Sequence, residues 1–393
     1  MNSNQIKSQR IESIDLLRGL VMVIMALDHT RHFFHSGAMN YNISDFNTTS
    51  PELFFTRFIT HYCAPVFVFL AGTSAYLYGT KQSRKSFFVF LFSRGIWLIF
   101  LEIFLNNFLW RFDFTYKFIV LQVIWAIGFS MICLSFISFL RFRLILSIGL
   151  IIVAGHNLLD FITFDGNNLK SIVWYLLHQR HRISLIEGHV FGVFYPVLPW
   201  IGVMSLGYCF GKLYEKGFDQ AIRKKWLITL GISSILLFLI IRYANVYGDL
   251  VPWTIQKNNT FTFLSFLDVT KYPPSLLYIL ITLGPAFLFL YVCELVKNKF
   301  SQYFIVFGRV PLFYYFMHLL FIHLAAVILF MITTGNYTNT IYAFKQARSA
   351  DYGYNLSGVY FAWIVIVLLL YPCCNWYMKY KDKHKDSWWL SYL

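Results

Sequence analysis

Apolar runs of membrane-spanning length follow one another along the whole chain, separated by short polar clusters. Such runs predict transmembrane helices. Ten spans are expected, at about 14–35, 53–79, 87–106, 118–140, 142–160, 190–212, 226–242, 274–296, 301–332 and 357–378. The fourth and fifth are joined only by Arg141-Phe142-Arg143, a tight basic turn. The sixth contains Pro196, Pro199 and four glycines, so it reads as kinked or partly re-entrant. In the second span, Pro65 is expected to kink the helix and free a carbonyl.

Ten spans put both termini on one side, and charge chooses which. One set of ends carries 18 basic residues and the opposite loops carry nine, so the termini are expected in the cytoplasm. Residues 1–13 are then a cytoplasmic N-terminus and 379–393 a cytoplasmic basic tail, with 1–393 a single polytopic domain. The loops at 36–52, 107–117, 161–189, 243–273 and 333–356 face out and offer polar groups to an acceptor. No cleavage site follows the polar start Met1–Arg10, which favours an uncleaved first helix.

Composition agrees. Of 393 residues, 58% are hydrophobic and only 13% charged, against about 25% charged in a soluble domain. The net charge of +15 fits cytoplasmic loops facing anionic lipid, not nucleic-acid binding. The six cysteines form no CxxC pair and read as small buried hydrophobes. The fold class is therefore an all-α integral membrane protein.

Against this background, ionisable residues inside a span stand out, because each is costly unless paired or solvated. The first span holds Asp15 and Arg18 near the inner face, and Asp28, His29, His32 and His35 toward the outer face. Arg18 and His29 lie eleven residues apart. Three helical turns put them on one face, about 16 Å apart along the axis. Arg18 suits anion capture, with Asp15 orienting it. His29 is the leading general base, with Asp28 or His32 in reach to fix its tautomer. His35 belongs more simply to the water interface. Elsewhere Arg57, His61, Arg309 and His318 are site-lining candidates. Asp160, Asp165, Arg180, His181, Arg182, Glu187 and His189 could contact an acceptor from the third outer loop. His29, His32, His61 and Asp28 are a thin zinc set without an HExxH-like pattern, and no metal is expected. Glycine-rich phosphate loops and Gly-x-Ser-x-Gly are absent from the sequence.

In Ser13–Gly19, Met25–His29, Phe54–Gly72 and Gly308–Phe313, the chain resembles bacterial multipass proteins related to heparan-α-glucosaminide N-acetyltransferase. Leu198–Met204 and Val269–Leu276 look like the same group. The first-helix pattern is also similar to the acyltransferase-3 family, in which an Arg and a His ten residues apart mark the acyl-donor site; Arg18 and His29 match that pair. The resemblance implies transfer of an acyl group, in the family acetyl, from cytosolic acetyl-CoA to an amine or hydroxyl of a sugar or envelope glycan on the far side. In the animal enzyme the catalytic His lies past the first helix, which keeps His32 and His35 beside His29. The expected partners are acyl-CoA, a glycan acceptor and membrane lipid, not nucleic acid, with self-association left open. The expected location is the cell membrane, the cytoplasmic membrane in a bacterium. A transporter or glycan/lipid flippase is the alternative, because intramembrane charges and a Pro/Gly-broken span suit it too.

Overall fold

The computed structural model describes residues 11–39, 43–295, 301–384, 387 and 390. Lys7, Arg10, Lys297, Lys299 and Lys385, all used in the charge reading, lie outside the described residues. The first half of the chain forms α1 (Glu12–Phe34), α2 (Pro51–Thr60), α3 (Cys63–Gly79), α4 (Arg84–Leu101), α5 (Asn107–Arg111), α6 (Val123–Ile137), α7 (Phe142–Gly155) and α8 (Leu169–Leu177). The second half forms α9 (Leu198–Phe210), α10 (Gln220–Ala244), α11 (Asn259–Leu267), α12 (Leu276–Leu295), α13 (Ser301–Arg309), α14 (Pro311–Thr334), α15 (Thr340–Ser349) and α16 (Leu356–Lys383). Seven helical stretches among the described residues are long and apolar enough to cross a membrane. Their outward faces carry Ile96, Phe100, Leu150, Ile151, Leu236, Ile240, Phe361 and Leu368, as a lipid-facing surface should.

Helix α1 sits in the middle, packed against α2, α3, α12, α13, α14 and α16. It lacks one apolar stripe because it is buried on most sides, with Val21, Met22, Met25, Ala26 and Leu27 in the core. Two glycines let it approach α13. A Cβ on Gly19 would lie 1.8 Å from the Phe304 carbonyl oxygen, and one on Gly308 would lie 1.8 Å from that of Asp15. Gly72 of α3 and Gly207 of α9 make the same kind of crossing. Small residues at such contacts replace the hydrophobic drive that lipid cannot supply.

The second span is broken between α2 and α3. Pro65 has no N–H to donate to the carbonyl four residues back, which is that of His61. That carbonyl accepts instead from the Tyr278 hydroxyl at 2.8 Å. Other spans differ from their expected limits. The ninth is two helices, because Pro311 starts α14 and Val310 leaves helical geometry with φ −130° and ψ 51°. The sixth does not begin at Val190. Residues His189–Val193 are a strand, and α9 starts only at Leu198, with Pro199 in its first turn where a missing N–H costs nothing. The fourth likewise opens as a strand and its helix runs only from Val123 to Ile137.

Those strands qualify the all-α expectation. Strands β1 (Phe118–Leu121), β2 (His181–Ile186) and β3 (His189–Val193) form a small sheet in the order β1-β3-β2. β3 pairs parallel with β1 and antiparallel with β2 through a two-residue turn in which Gly188 takes φ +75°. Asn107 anchors it, accepting from the Val120 N–H at 2.7 Å and donating to the Val120 carbonyl at 3.1 Å. The four consecutive apolar residues of β1, next to a helical span, carry no period that tells them from helix.

The α1–α13 crossing gives a test. Gly308→Ala should lower the melting temperature sharply in detergent, with a cost of about 3 kcal/mol, because the clash is with backbone and cannot rotate away. Gly155→Ala, whose Cβ would meet nothing within 4 Å, should leave it within a degree or two. Equal effects would mean the crossing is not close.

Candidate active site

Two cavities meet inside the bundle. The first, of about 580 Å³, the inner cavity under the expected topology, opens at the end that holds the start of α1 and the end of α16, and Asp15, Arg18, Ser74, Arg94, Arg309 and Lys381 line it. The second, of about 560 Å³, the outer cavity under the same expectation, opens at the opposite end, and Asp28, His29, His32, Arg57, Lys271 and Arg348 are among its walls. Phe67, Val123 and Tyr315 line both, so these three positions stand at the divide. Helix α1 is continuous past that divide, with Arg18 in one cavity and His29 in the other.

Arg18 is held from three directions. Its Nη1 donates to Asp15 Oδ1 at 3.1 Å and to the Gly308 carbonyl at 3.2 Å, and its Nη2 donates to Ser74 Oγ at 3.0 Å. The Gly308 contact exists because α1 and α13 approach so closely. Arg309, next in sequence, enters the same cavity and reaches Asp382 at 2.5 Å. This end is therefore cationic, and its guanidinium groups suit phosphate oxygens.

His29 is fixed by a partner 289 residues away. His29 Nδ1 lies 2.7 Å from His318 Nε2, and His318 Nδ1 lies 2.9 Å from the Tyr314 carbonyl oxygen. A carbonyl only accepts, so His318 carries its proton on Nδ1 and presents a bare Nε2. His29 must then donate from Nδ1, and its Nε2 keeps a lone pair. That is the tautomer a general base needs. Trp110 packs edge-on to His29 at 4.9 Å between ring centroids, and Tyr315 at 6.2 Å.

The other predicted residues separate. Asp28 pairs with Arg31 at 3.0 Å rather than with His32, so it is not the group that orients His29. His32 lines the outer cavity, its ring 5.0 Å from Trp110, and its carbonyl accepts from Arg348 at 2.5 Å. His35 is the cap residue after α1, bridged to Tyr354, and lines neither cavity. Nor does His61, which is buried against Tyr278 while its neighbour Arg57 enters the outer cavity. Of the third outer loop's seven candidates, only Arg182 lines the cavity.

Sequence reading missed three contributors. Lys271, Lys345 and Arg348 come from two other outer loops, and with Arg57, Arg111 and Arg182 they surround the outer cavity with positive charge. Burial works against the Lys271 ammonium, yet Tyr272 and the Asp28 carboxylate hold its pKa above the ordinary lysine value. Burial pushes the Arg348 guanidinium down to about 10, which still leaves it charged at neutral pH. Asp249 shapes the loop that presents Lys271, accepting from Thr270 N–H at 2.8 Å and from Ser275 Oγ at 2.6 Å. The missed basic residues sit in polar loops whose charges look like solvated ones.

Glu102 is a further buried charge with a structural task. Its carboxylate accepts from the Gln122 N–H at 3.2 Å, the Trp125 N–H at 3.1 Å and Asn106 Nδ2 at 2.8 Å. It thereby caps the N-terminus of α6 in place of a local cap. That terminus carries Val123 at the divide between the cavities.

The fold is that of a multipass helical membrane protein with a cavity entering from each end. Residues 10–243, more than half of the chain, match the family model for heparan-alpha-glucosaminide N-acetyltransferase, catalytic, and the chain belongs to that family. No curated protein matches it. The matched stretch includes Arg18 and His29 and ends within α10, before His318.

A substitution tests the imidazole pair. His318→Ala should lower turnover about 10- to 100-fold, less than removal of the base itself, while acyl-CoA binding is retained. Unchanged turnover in a well-folded His318→Ala protein would remove His318 from the site.

Proposed function

We propose that this chain is a membrane acetyltransferase that takes acetyl-CoA from the cytoplasm and acetylates an amine or hydroxyl of an anionic sugar or envelope glycan on the other side. One observation carries the reading. Two cavities from opposite ends share Phe67, Val123 and Tyr315 and are joined by one helix, with the Arg18 guanidinium in one and the His29 imidazole in the other. Their separation of about 16 Å suits an extended pantetheine arm whose phosphates rest near Arg18 and Arg309. The topology that goes with it has ten spans and both termini cytoplasmic. The seven long spans are then joined by α1, α6 and α9, which charge or shortness keeps from qualifying on composition alone.

In the chemical step, the acceptor nitrogen or oxygen attacks the thioester carbonyl carbon. His29 Nε2 takes the acceptor's proton, and the carbon–sulfur bond breaks to release coenzyme A thiolate. The imidazolium then returns the proton to sulfur. His318 stabilises the imidazolium by accepting from Nδ1 throughout. Cationic outer walls favour a sugar bearing carboxylate, sulfate or phosphate, and draw it in by steering. A transporter would also need cavities facing both ends, but the family match is to a catalytic acetyltransferase.

Purified protein with labelled acetyl-CoA tests the reading. Transfer to an amino sugar or hydroxylated glycan is expected, and absence of both transfer and thioester cleavage with any such acceptor counts against it. His29→Ala should lose about 10²- to 10⁴-fold in turnover with acetyl-CoA binding intact, whereas His35→Ala should be mild. The reverse order would move the base beyond the helix end.

Arg18→Ala should raise the KM for acetyl-CoA far more than that for the acceptor, and Arg18→Lys should restore only part, because the two-pronged contact is lost. Cysteine-accessibility labelling should find residues 212–225 inside and 161–189 outside. Labelling of both from one side would sink the topology.

A further inference from the structure

A second cluster of titratable side chains lies apart from both cavities. Helix α7 continues into a short 3₁₀ turn, His156–Leu159, and Asp160 follows it. His178 ends α8. The ligand-capable atoms of His156, Asp160 and His178 all lie within 4.8 Å of one another.

His156 is only 2% exposed, and neither of its ring nitrogens has a hydrogen-bond partner. A neutral imidazole always carries one N–H and one lone pair, so burying both unpaired is unfavourable. Such an orphaned ring, turned toward a carboxylate and a second imidazole, is what a metal ligand looks like before the ion arrives.

The surrounding bonds fit. His178 Nε2 stands 2.9 Å from Asp160 Oδ1. Two ligands of a tetrahedral ion at about 2.0–2.1 Å from the metal would stand only a few tenths of an ångström farther apart. The proton now shared there is the one an ion would displace. The other carboxylate oxygen, Oδ2, accepts from Asn157 Nδ2 at 2.7 Å, and Asn157 Oδ1 accepts from the Leu276 N–H at 2.9 Å. That gives the carboxylate the outer support that ligands in metal sites have.

We propose that His156, Asp160 and His178 bind a divalent transition metal of the zinc type, with water as the fourth ligand. Two imidazoles and one carboxylate are a donor set for zinc or cobalt, not for magnesium or calcium. The ion ties the end of α7 to the end of α8. From there the chain enters β2 and β3, which deliver Arg182 to the outer cavity wall. Its role is thus to hold that wall, not to act on substrate. The sequence gives little warning, because His156 lies inside an apolar span and His178 twenty-two residues on.

The test uses full-length protein without a histidine tag, stripped with chelator and titrated with Co²⁺. The expected result is one saturable equivalent per chain with the visible absorption of a tetrahedral site. His156→Gln and His178→Gln should each weaken binding by roughly tenfold or more, as loss even of an outer-shell partner does. Zn²⁺ should displace the cobalt and raise the melting temperature of the wild-type protein but not of the variants. Absence of saturable cobalt uptake by the wild-type protein overturns the proposal whatever the variants do. So does uptake that both variants retain unchanged.

Discussion

A polar group packed between these helices has little water to return to, and much of the architecture follows from how the key ones are satisfied. Pro65 frees the His61 carbonyl, and Tyr278 supplies the missing donor. Glu102 stands in for a local cap on α6. Arg242, only 1% exposed, donates to the carbonyls of Phe266, Val251, Ser265 and Asp268 and so closes the end of α11. An unpaired group in such surroundings costs several kcal/mol, so each pairing fixes where an element can lie.

The site obeys the same rule with one difference. The chain of acceptors from the Tyr314 carbonyl through His318 to His29 is complete at one end and open at the other. Satisfaction at Nδ1 is what leaves Nε2 available. In the proposed mechanism structure and chemistry are therefore one arrangement, with the proposed base on α1 and the residue that positions it on α14. Arg18 repeats the pattern, because the Gly308 carbonyl that holds it is within reach only where α1 and α13 touch backbone to backbone.

The two ends of the molecule differ in how their charge is made. At the inner end, cations come from helices α1, α4, α13 and α16, and Asp15 and Asp382 pair with two of them. At the outer end, most come from loops folded over the cavity, where Asp28 pairs with Arg31. On the proposed reading, a helix-built cradle at one end and a rim built from the segments between spans at the other suit a donor of fixed shape and an acceptor of more variable form.

The sequence by itself determined that the chain is a multipass helical membrane protein, because apolar runs of the required length can satisfy their backbone only as helices or closed barrels. It also placed Arg18 and His29 on one face, since both belong to one helix and helical period is local. What only the tertiary structure decided is everything that joins distant positions. The partner of His29 is His318 and not Asp28, which Arg31 takes first. His35 and His61 turn away from the cavities, while Lys271, Lys345 and Arg348 turn in. The small sheet, the late start of α9 and the break at Val310 were hidden because short strands and proline-led helix starts read as continuous apolar sequence. Local period tells which face a residue is on, but which polar groups meet across helices depends on packing distance, and that exists only in the folded chain.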